Sequence, residues 1–387
     1  MKLALLGAGL LVLGLVAVGI GLLPVEHALG LGARVAPVLG FVLAISAVAA
    51  LATDAGLFDR LAEGAARLAR GRGAVLWALV AVVALASTVF LSLDTTAVLL
   101  TPVVVTLARR VGLSPLPFAM TTVWLANTGS LLLPVSNLTN LLAESDPAFG
   151  SGYAARSWLP ALVAVVVPLA VLALVHRRAL GHRYRPVPTT AAEDPVLLAA
   201  AAVVVALLVA ALALGEPVLG VPVWVPATAA ALVLGAVAVV RRGRSAVSFR
   251  MLPLPLVVFV CGLFLAVDAA GRLGLTALLS AAAGSGEGLP ALLRLAAAGT
   301  ITANLADNLP AYLALEPTAG SAPRLLALLV AVNAGPLITP WASLATLLWH
   351  GRLEAMGVHV NWWRFAALGA VAAPLTVGLA VIAVALH

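Results

Sequence analysis

Cysteine is all but absent, Cys261 being the only one in the chain. That excludes a disulfide-stapled secreted fold and any Cys/His zinc site. Set in an apolar run, Cys261 reads as a small buried hydrophobe rather than a thiolate ligand. Lysine is as rare, with Lys2 alone, and charged residues of both signs reach only 10%. A water-soluble globule needs far more polar side chains to cover itself. The shortage leaves no room for a soluble catalytic module, and no enzymatic activity is expected. The formal charge of +7 does not signal nucleic acid, because the excess sits on arginines in short runs between apolar segments. His27, His176, His182, His350, His359 and His387 stand in loops or near span ends, without ligand spacing to an acid or to one another. No metal and no cofactor is therefore expected.

What the chain has in plenty is apolar side chains, 63% of the total, with a mean hydropathy of +1.15. Crossing the hydrocarbon layer takes roughly 20 helical residues, a length that most of the chain supplies. Spans are expected at about 3–23, 35–53, 115–144, 157–176, 194–214, 224–240, 251–268, 323–349 and 362–386. The first begins like a signal peptide, but its apolar run is too long and lacks a small-residue cleavage site. It is taken as a membrane helix. Two further stretches, 74–108 and 289–316, are interrupted by polar residues and too long for one helix. Each is expected to fold as a re-entrant hairpin that leaves on the side where it entered.

Arginines set the expected orientation. Arg60, Arg67, Arg70 and Arg72 fall in the 54–73 loop, and Arg109 and Arg110 close the first hairpin. Arg177, Arg178, Arg183 and Arg185 fall in the 177–193 loop, and Arg241, Arg242, Arg244 and Arg250 in the 241–250 loop. The loops 24–34, 145–156, 215–223 and 269–288 hold at most one arginine each. By the positive-inside rule the rich loops face the cytoplasm, with the N-terminus inside. Trp158, Trp224, Trp349, Trp362 and Trp363 near span ends suit an interfacial belt.

An internal repeat supplies the strongest architectural signal. Ala126-Asn127-Thr128-Gly129 through Pro134-Val135-Ser136-Asn137-Leu138 matches Val332-Asn333-Ala334-Gly335 through Pro340-Trp341-Ala342-Ser343-Leu344. Leu93-Asp94-Thr95 is aligned with Ala306-Asp307-Asn308, and Thr53-Asp54-Ala55 with Val267-Asp268-Ala269. The loop after Asp54 carries four arginines and the loop after Asp268 only Arg272, so the two copies run in opposite senses through the membrane. The expected fold is an all-α polytopic membrane protein of about 9–11 membrane segments, two inverted-topology repeats with re-entrant hairpins and broken helices. Residues 1–193 form the first half, with hairpin 74–110 and broken helix 115–144. Residues 194–214 connect it to the second half, 215–387, with hairpin 289–316 and broken helix 323–349.

Polar residues inside the apolar stretches are few and clustered. A carboxylate near the bilayer centre costs about 2.5–3.5 kcal/mol on insertion scales, so Asp94 and Asp307 must face a cavity, an ion or a partner. Thr95 and Thr96 follow one and Asn308 the other, as at helix starts, whose positive ends suit an anion or a polar solute. Gly129 and Pro134, like Gly335 and Pro340, unwind their helices in mid-membrane, which is tolerable only beside a cavity. Asn127, Thr128, Ser130, Ser136 and Asn137 surround one break, with Asn140 beyond; Asn333, Thr339, Ser343 and Thr346 surround the other. These residues, with Asn304 on the second hairpin, are the expected substrate- and ion-binding set.

At these motifs the chain resembles the arsenite permease family of the wider ion-transporter superfamily. Asn333-Ala334-Gly335-Pro336 through Thr339-Pro340, then Ser343-Leu344-Ala345-Thr346, is similar to its C-terminal signature. Asp94 with Leu100-Thr101-Pro102, Ala126-Asn127-Thr128 with Ser136-Asn137-Leu138, and Asn308-Leu309-Pro310 match its other motifs in order. Two tips depart from the pattern: Leu93-Asp94 stands where an Asn-Asp pair is usual, and Asp307-Asn308 where paired asparagines are. The resemblance implies a multi-pass protein of the inner or plasma membrane that exports arsenite or antimonite, coupled to protons or assisted by a cytosolic ATPase subunit. Partners are then a small inorganic solute, a coupling ion (H⁺ or Na⁺) and the lipid bilayer, with a homodimer also admitted. The same scaffold serves sodium-coupled anion carriers and sodium/proton antiporters, and that alternative stays open. An intramembrane aspartyl protease would need a Gly-x-Gly-Asp context, which neither acid has. A passive channel would show flux independent of a proton gradient.

Overall fold

A computed structural model describes residues 2–185, 192–214 and 220–386. The expected loops 177–193 and 215–223 fall partly outside the described residues, as do His387 and the side chains of Lys2 and Arg250. The described elements are helical. In order they are α1 (Lys2–Gly19), α2 (Val25–Asp54), α3 (Leu57–Leu68), α4 (Gly73–Leu91), α5 (Leu93–Thr95), α6 (Thr101–Arg110), α7 (Pro115–Thr128), α8 (Leu138–Glu144) and α9 (Tyr153–Leu180). Then follow α10 (Pro195–Leu214), α11 (Trp224–Arg242), α12 (Leu254–Ala270), α13 (Thr276–Ala283), α14 (Leu289–Ala306), α15 (Asn308–Ala319), α16 (Ala322–Ala334), α17 (Leu344–Ala355) and α18 (Trp362–Leu386). Among the described residues, 8 helices are long and apolar enough to cross a membrane.

Both hairpins exist. Helix α4 breaks at Ser92 and resumes through α5, a π-helical turn at Thr96–Leu100, and α6. Its ends share one face: Gly73 N donates to His182 O at the entrance, and Arg110 reaches Glu63 at the exit. Helix α14 breaks at Asp307 and returns as α15, with Arg324 tying Thr318 O at the exit to Gly284 O and Gly286 O near the entrance. The two broken helices are equally clear. After α7, 3-10 turns at Gly129–Leu132 and Pro134–Ser136 lead to α8, and nine irregular residues separate α16 from α17. Proline and glycine cause these breaks, by removing a backbone donor and by freeing the dihedrals.

The arginine runs lie together. Tyr184 N donates to Gly71 O, Arg242 to Asp54 O, and Arg110 pairs with Glu63, so their loops share one face. On the opposite face Arg34 reaches Ser145, and His27 Nε2 lies 3.1 Å from Asp268 Oδ2. The Asp54 end of α2 and the Asp268 end of α12 therefore lie on opposite faces, as an inverted repeat requires.

Three expectations need correction. Helix α2 starts ten residues earlier than position 35, because Pro24 allows the start and Glu316 neutralises Arg34 inside it. The loops 54–73 and 269–288 are not bare: each contains a short helix, α3 and α13, and these occupy equivalent places in the two halves. Finally, the hairpin alignment shifts by two. The break residues are Ser92 and Asp307, each at positive φ (93° and 146°), so Asp307 is matched by Ser92 and Asp94 lies one step into the second arm. Sequence identity at Asp had outweighed backbone geometry there.

Packing divides the helices. Helices α1, α2, α10, α11 and α12 contact one another, while the hairpins and broken helices pack with α9 and α18. Helices α1 and α12 cross at backbone contact: a Cβ on Gly262 would stand 2.7 Å from Gly7 O.

Candidate functional site

The two hairpin tips and the two helix breaks meet around one small cavity of about 70 Å³. Ser92 and Asp94 come from the first tip, Asp307 and Asn308 from the second, Asn137 from the first break and Ser343 from the second. Ser46 and apolar residues of α2 and α12, among them Phe41 and Phe259, form the remaining wall. Among the described residues no arginine or lysine lines it. A wider opening of about 400 Å³ leads from Asp94 and Thr95 toward Met251 and Arg352, on the arginine-rich face.

Helix starts define the cavity's electrostatics. Asp307 Oδ1 accepts from Leu309 N at 3.1 Å, capping α15, and its carboxylate also lies near the amides of Asn308 and Leu344, the latter at the start of α17. The acid thus stands at two positive helix ends. Asn137 caps α8 by accepting from Thr139 N, and Ser92 accepts from Thr95 N. Ser92 is not glycine, and its positive φ stores about 1–3 kcal/mol of strain.

Behind the cavity a buried amide cluster locks the halves together. Asn333 Oδ1 accepts from Ser130 Oγ at 3.1 Å and from Asn137 Nδ2, while Asn333 Nδ2 donates to Asn140 Oδ1 at 2.8 Å. Asn140 Nδ2 in turn holds the free carbonyls of Ser130 and Leu133, made available by the unwinding. Asn127, which occupies the place of Asn333 in the other half, is less satisfied. Its Nδ2 donates to Val123 O and Thr346 Oγ1, but its Oδ1 is buried without a partner, as are Thr128 Oγ1 and Ser343 Oγ.

The sequence-derived set therefore separates. Asp94, Asn137, Asp307, Asn308 and Ser343 line the cavity, and Thr95 lines its opening. Asn127, Thr128, Ser130 and Asn333 lie behind it. Thr96 is buried against Ser87 and Thr88. Ser136 fastens the first break to Val89 O, and Asn304 and Thr339 bind each other, joining the second hairpin to the second break. Those four are packing contacts away from the cavity, because each spends its polar atoms on neighbouring backbone or hydroxyl groups. Sequence reasoning missed Ser46, a lone hydroxyl in the apolar run of α2, and Ser92, whose signal was a hydroxyl three residues before Thr95, the spacing of an N-cap. Among the described residues no group of three or more His, Cys, Asp or Glu side chains could hold a metal ion.

Comparison with known proteins agrees with this architecture. The profile of a family described as citrate transporters matches residues 2–332. An arsenical pump membrane protein of Yersinia enterocolitica is 30% identical over 342 residues, 83% of this chain and 79% of that protein. Its counterpart in Escherichia coli K12 is 30% identical over 344 residues, with the same coverage. Among solved structures, the Alcanivorax borkumensis YdaH transporter, described as having an unusual topology, superposes with a TM-score of 0.59 at 18% identity. The match covers 100% of this chain and 97% of that one. It supports the fold alone.

Proposed function

The chain belongs to the citrate transporter family and to the arsenical pump membrane proteins, and from that premise we propose that it is a secondary carrier exporting arsenite or antimonite in exchange for protons. The observation that carries this reading is the chemistry of the central cavity: about 70 Å³, two carboxylates and, among the described residues, no cationic side chain. A citrate anion brings up to three negative charges, and Asp94 and Asp307 would repel it with no cationic side chain among the described residues and only partial helix-end charge to compensate. The trihydroxides of trivalent arsenic and antimony are small and uncharged at neutral pH. Their O–H groups can donate to the carboxylates, and their oxygens can accept from Asn137, Asn308 and Ser343.

On this reading the arginine-rich face is cytoplasmic, and the opening beside Asp94 admits substrate from the cytosol. Asp94 and Asp307 carry the exchanged protons, one conformational cycle moving the cavity from one face to the other. The halves run 1–193 and 215–387, with 194–214 between them. Everted vesicles should accumulate arsenite when a proton gradient is imposed, and Asp307→Asn should reduce that accumulation by about tenfold or more. Uptake that ignores the gradient would overturn proton coupling. Stimulation by ATP alone would assign the driving force to a cytosolic ATPase subunit instead.

A sodium-coupled version rests on a separate observation, the buried oxygens of Asn127, Thr128 and Ser343 that have no partner. Oxygen ligands of this kind suit a hard monovalent cation. Arsenite binding to the purified carrier that rises with Na⁺ and not with K⁺ would favour it.

A further inference from the structure

Access to the central cavity is unequal from the two faces. The opening on the arginine-rich face shares Ser46, Asp94, Leu256 and Leu344 with the cavity, so the two are continuous. On the opposite face a vestibule of about 430 Å³ runs in between α2, α12 and α15, yet it shares no lining residue with the cavity. One helical turn on each wall separates them, and there Val35 on α2, Leu263 on α12 and Tyr312 on α15, all buried, belong to one packed cluster.

At the floor of that vestibule lies an ion pair. The Arg34 guanidinium on α2 binds the Glu316 carboxylate on α15, and Tyr312 donates to Glu316 Oε1 at 3.0 Å. Arg34 also donates to Leu142 O at 3.0 Å and to Ser145 Oγ at 3.3 Å, at the end of α8. One side chain thus bridges α2 to the second hairpin and to the first broken helix. Among the described residues no ion pair crosses the opening on the arginine-rich face, whose charged lining is Asp94 and Arg352. The pair is half shielded rather than sealed, with side-chain exposures of 30% and 10%. Water in the vestibule can rehydrate both ions when they part, so the contact is reversible in a way that a fully buried pair is not.

We propose that the Arg34–Glu316 pair is the latch of the gate on the face opposite the arginines, and that its parting exposes the central cavity to that face. The proposal rests on the reading of the chain as an alternating-access carrier, but not on arsenite as the cargo.

Thiol labelling tests it without any substrate. Cys261→Ser removes the native thiol, and Leu309→Cys places a reporter on the cavity wall, inside the Tyr312 layer. An impermeant maleimide should label this protein from the arginine-rich face, in everted vesicles, and poorly from the opposite face, in whole cells. Adding Glu316→Gln should raise labelling from the opposite face by about five- to tenfold. Exchanging the charges, Arg34→Glu with Glu316→Arg, should bring it part of the way back. Ser145→Ala, a milder change, should give a rise of the same sign of about twofold. The latch is overturned if Glu316→Gln still labels in everted vesicles but gains nothing from the other side, if neither it nor Ser145→Ala raises labelling there, or if the exchanged pair stays fully open. Arsenite transport does not enter the readout, so failure of that assignment would leave this result intact.

Discussion

Asn333 shows how a single side chain can be indispensable without touching substrate. It takes two donors and gives one, all from the other half of the chain, and it is almost wholly buried. Asn333→Ala would leave Ser130, Asn137 and Asn140 with buried groups unmatched, and each orphan costs about 1–3 kcal/mol. A marked fall in thermal midpoint in detergent is expected, together with loss of transport. Thr339→Val, which releases only local contacts to Asn304, should lower the midpoint less. Asp194 offers a pH readout at the same scale. The hydrogen bond from Arg241, with the amides of Val196 and Leu197, holds its carboxyl below the usual carboxylate range. Because the folded value is depressed, its contribution is intact at neutral pH and is lost as pH falls below about 4. The difference in midpoint between Asp194→Asn and the parent should therefore be present at pH 7 and shrink progressively as the pH is taken below about 4.

At the level of the element, the hairpin tips are the most informative. Ser92 and Asp307 both break a helix at positive φ and both cap the arm that follows. Glycine tolerates that backbone and β-branched residues do not. Ser92→Val should therefore lower the thermal midpoint, whereas Ser92→Gly should hold it near the parent value, a contrast that melting curves would reveal. Both tips were legible in the sequence as interruptions of apolar runs. Their register was not, because a shared Asp looks like a match in one dimension, while the backbone turn alone shows which residue stands at the break. Helix α3 was legible too, since its buried Leu57, Phe58, Ala62, Ala65 and Ala66 fall at helical spacing, a pattern that counting arginines in the loop passed over. Helix α13, with only eight residues, carries a weaker one.

For the whole molecule, the division into two packed groups of helices is what any carrier cycle must act on. Helices α1 and α12 belong to one group and touch through Gly7 and Gly262, where no side chain fits. Gly262→Leu should force them apart and yield protein that elutes as aggregate in size-exclusion chromatography, while Gly378→Leu, at a glycine with open space beside it, should elute as the parent does.

Composition and patterning by themselves determined the membrane class, the inverted repeat and the two hairpins, because lipid imposes length, apolarity and satisfied backbone on any chain that crosses it. Hydropathy and short motifs also marked every polar residue that lines the cavity except Ser46 and Ser92. Only the folded chain decided which polar residues face open space and which spend their hydrogen bonds on packing. Asn304, Ser136 and Thr339 look identical to Asn137 and Ser343 in one dimension. Their roles diverge because a hydrogen-bond partner is a neighbour in space, and Arg34 and Glu316, 282 positions apart, become neighbours only when the second hairpin closes on α2.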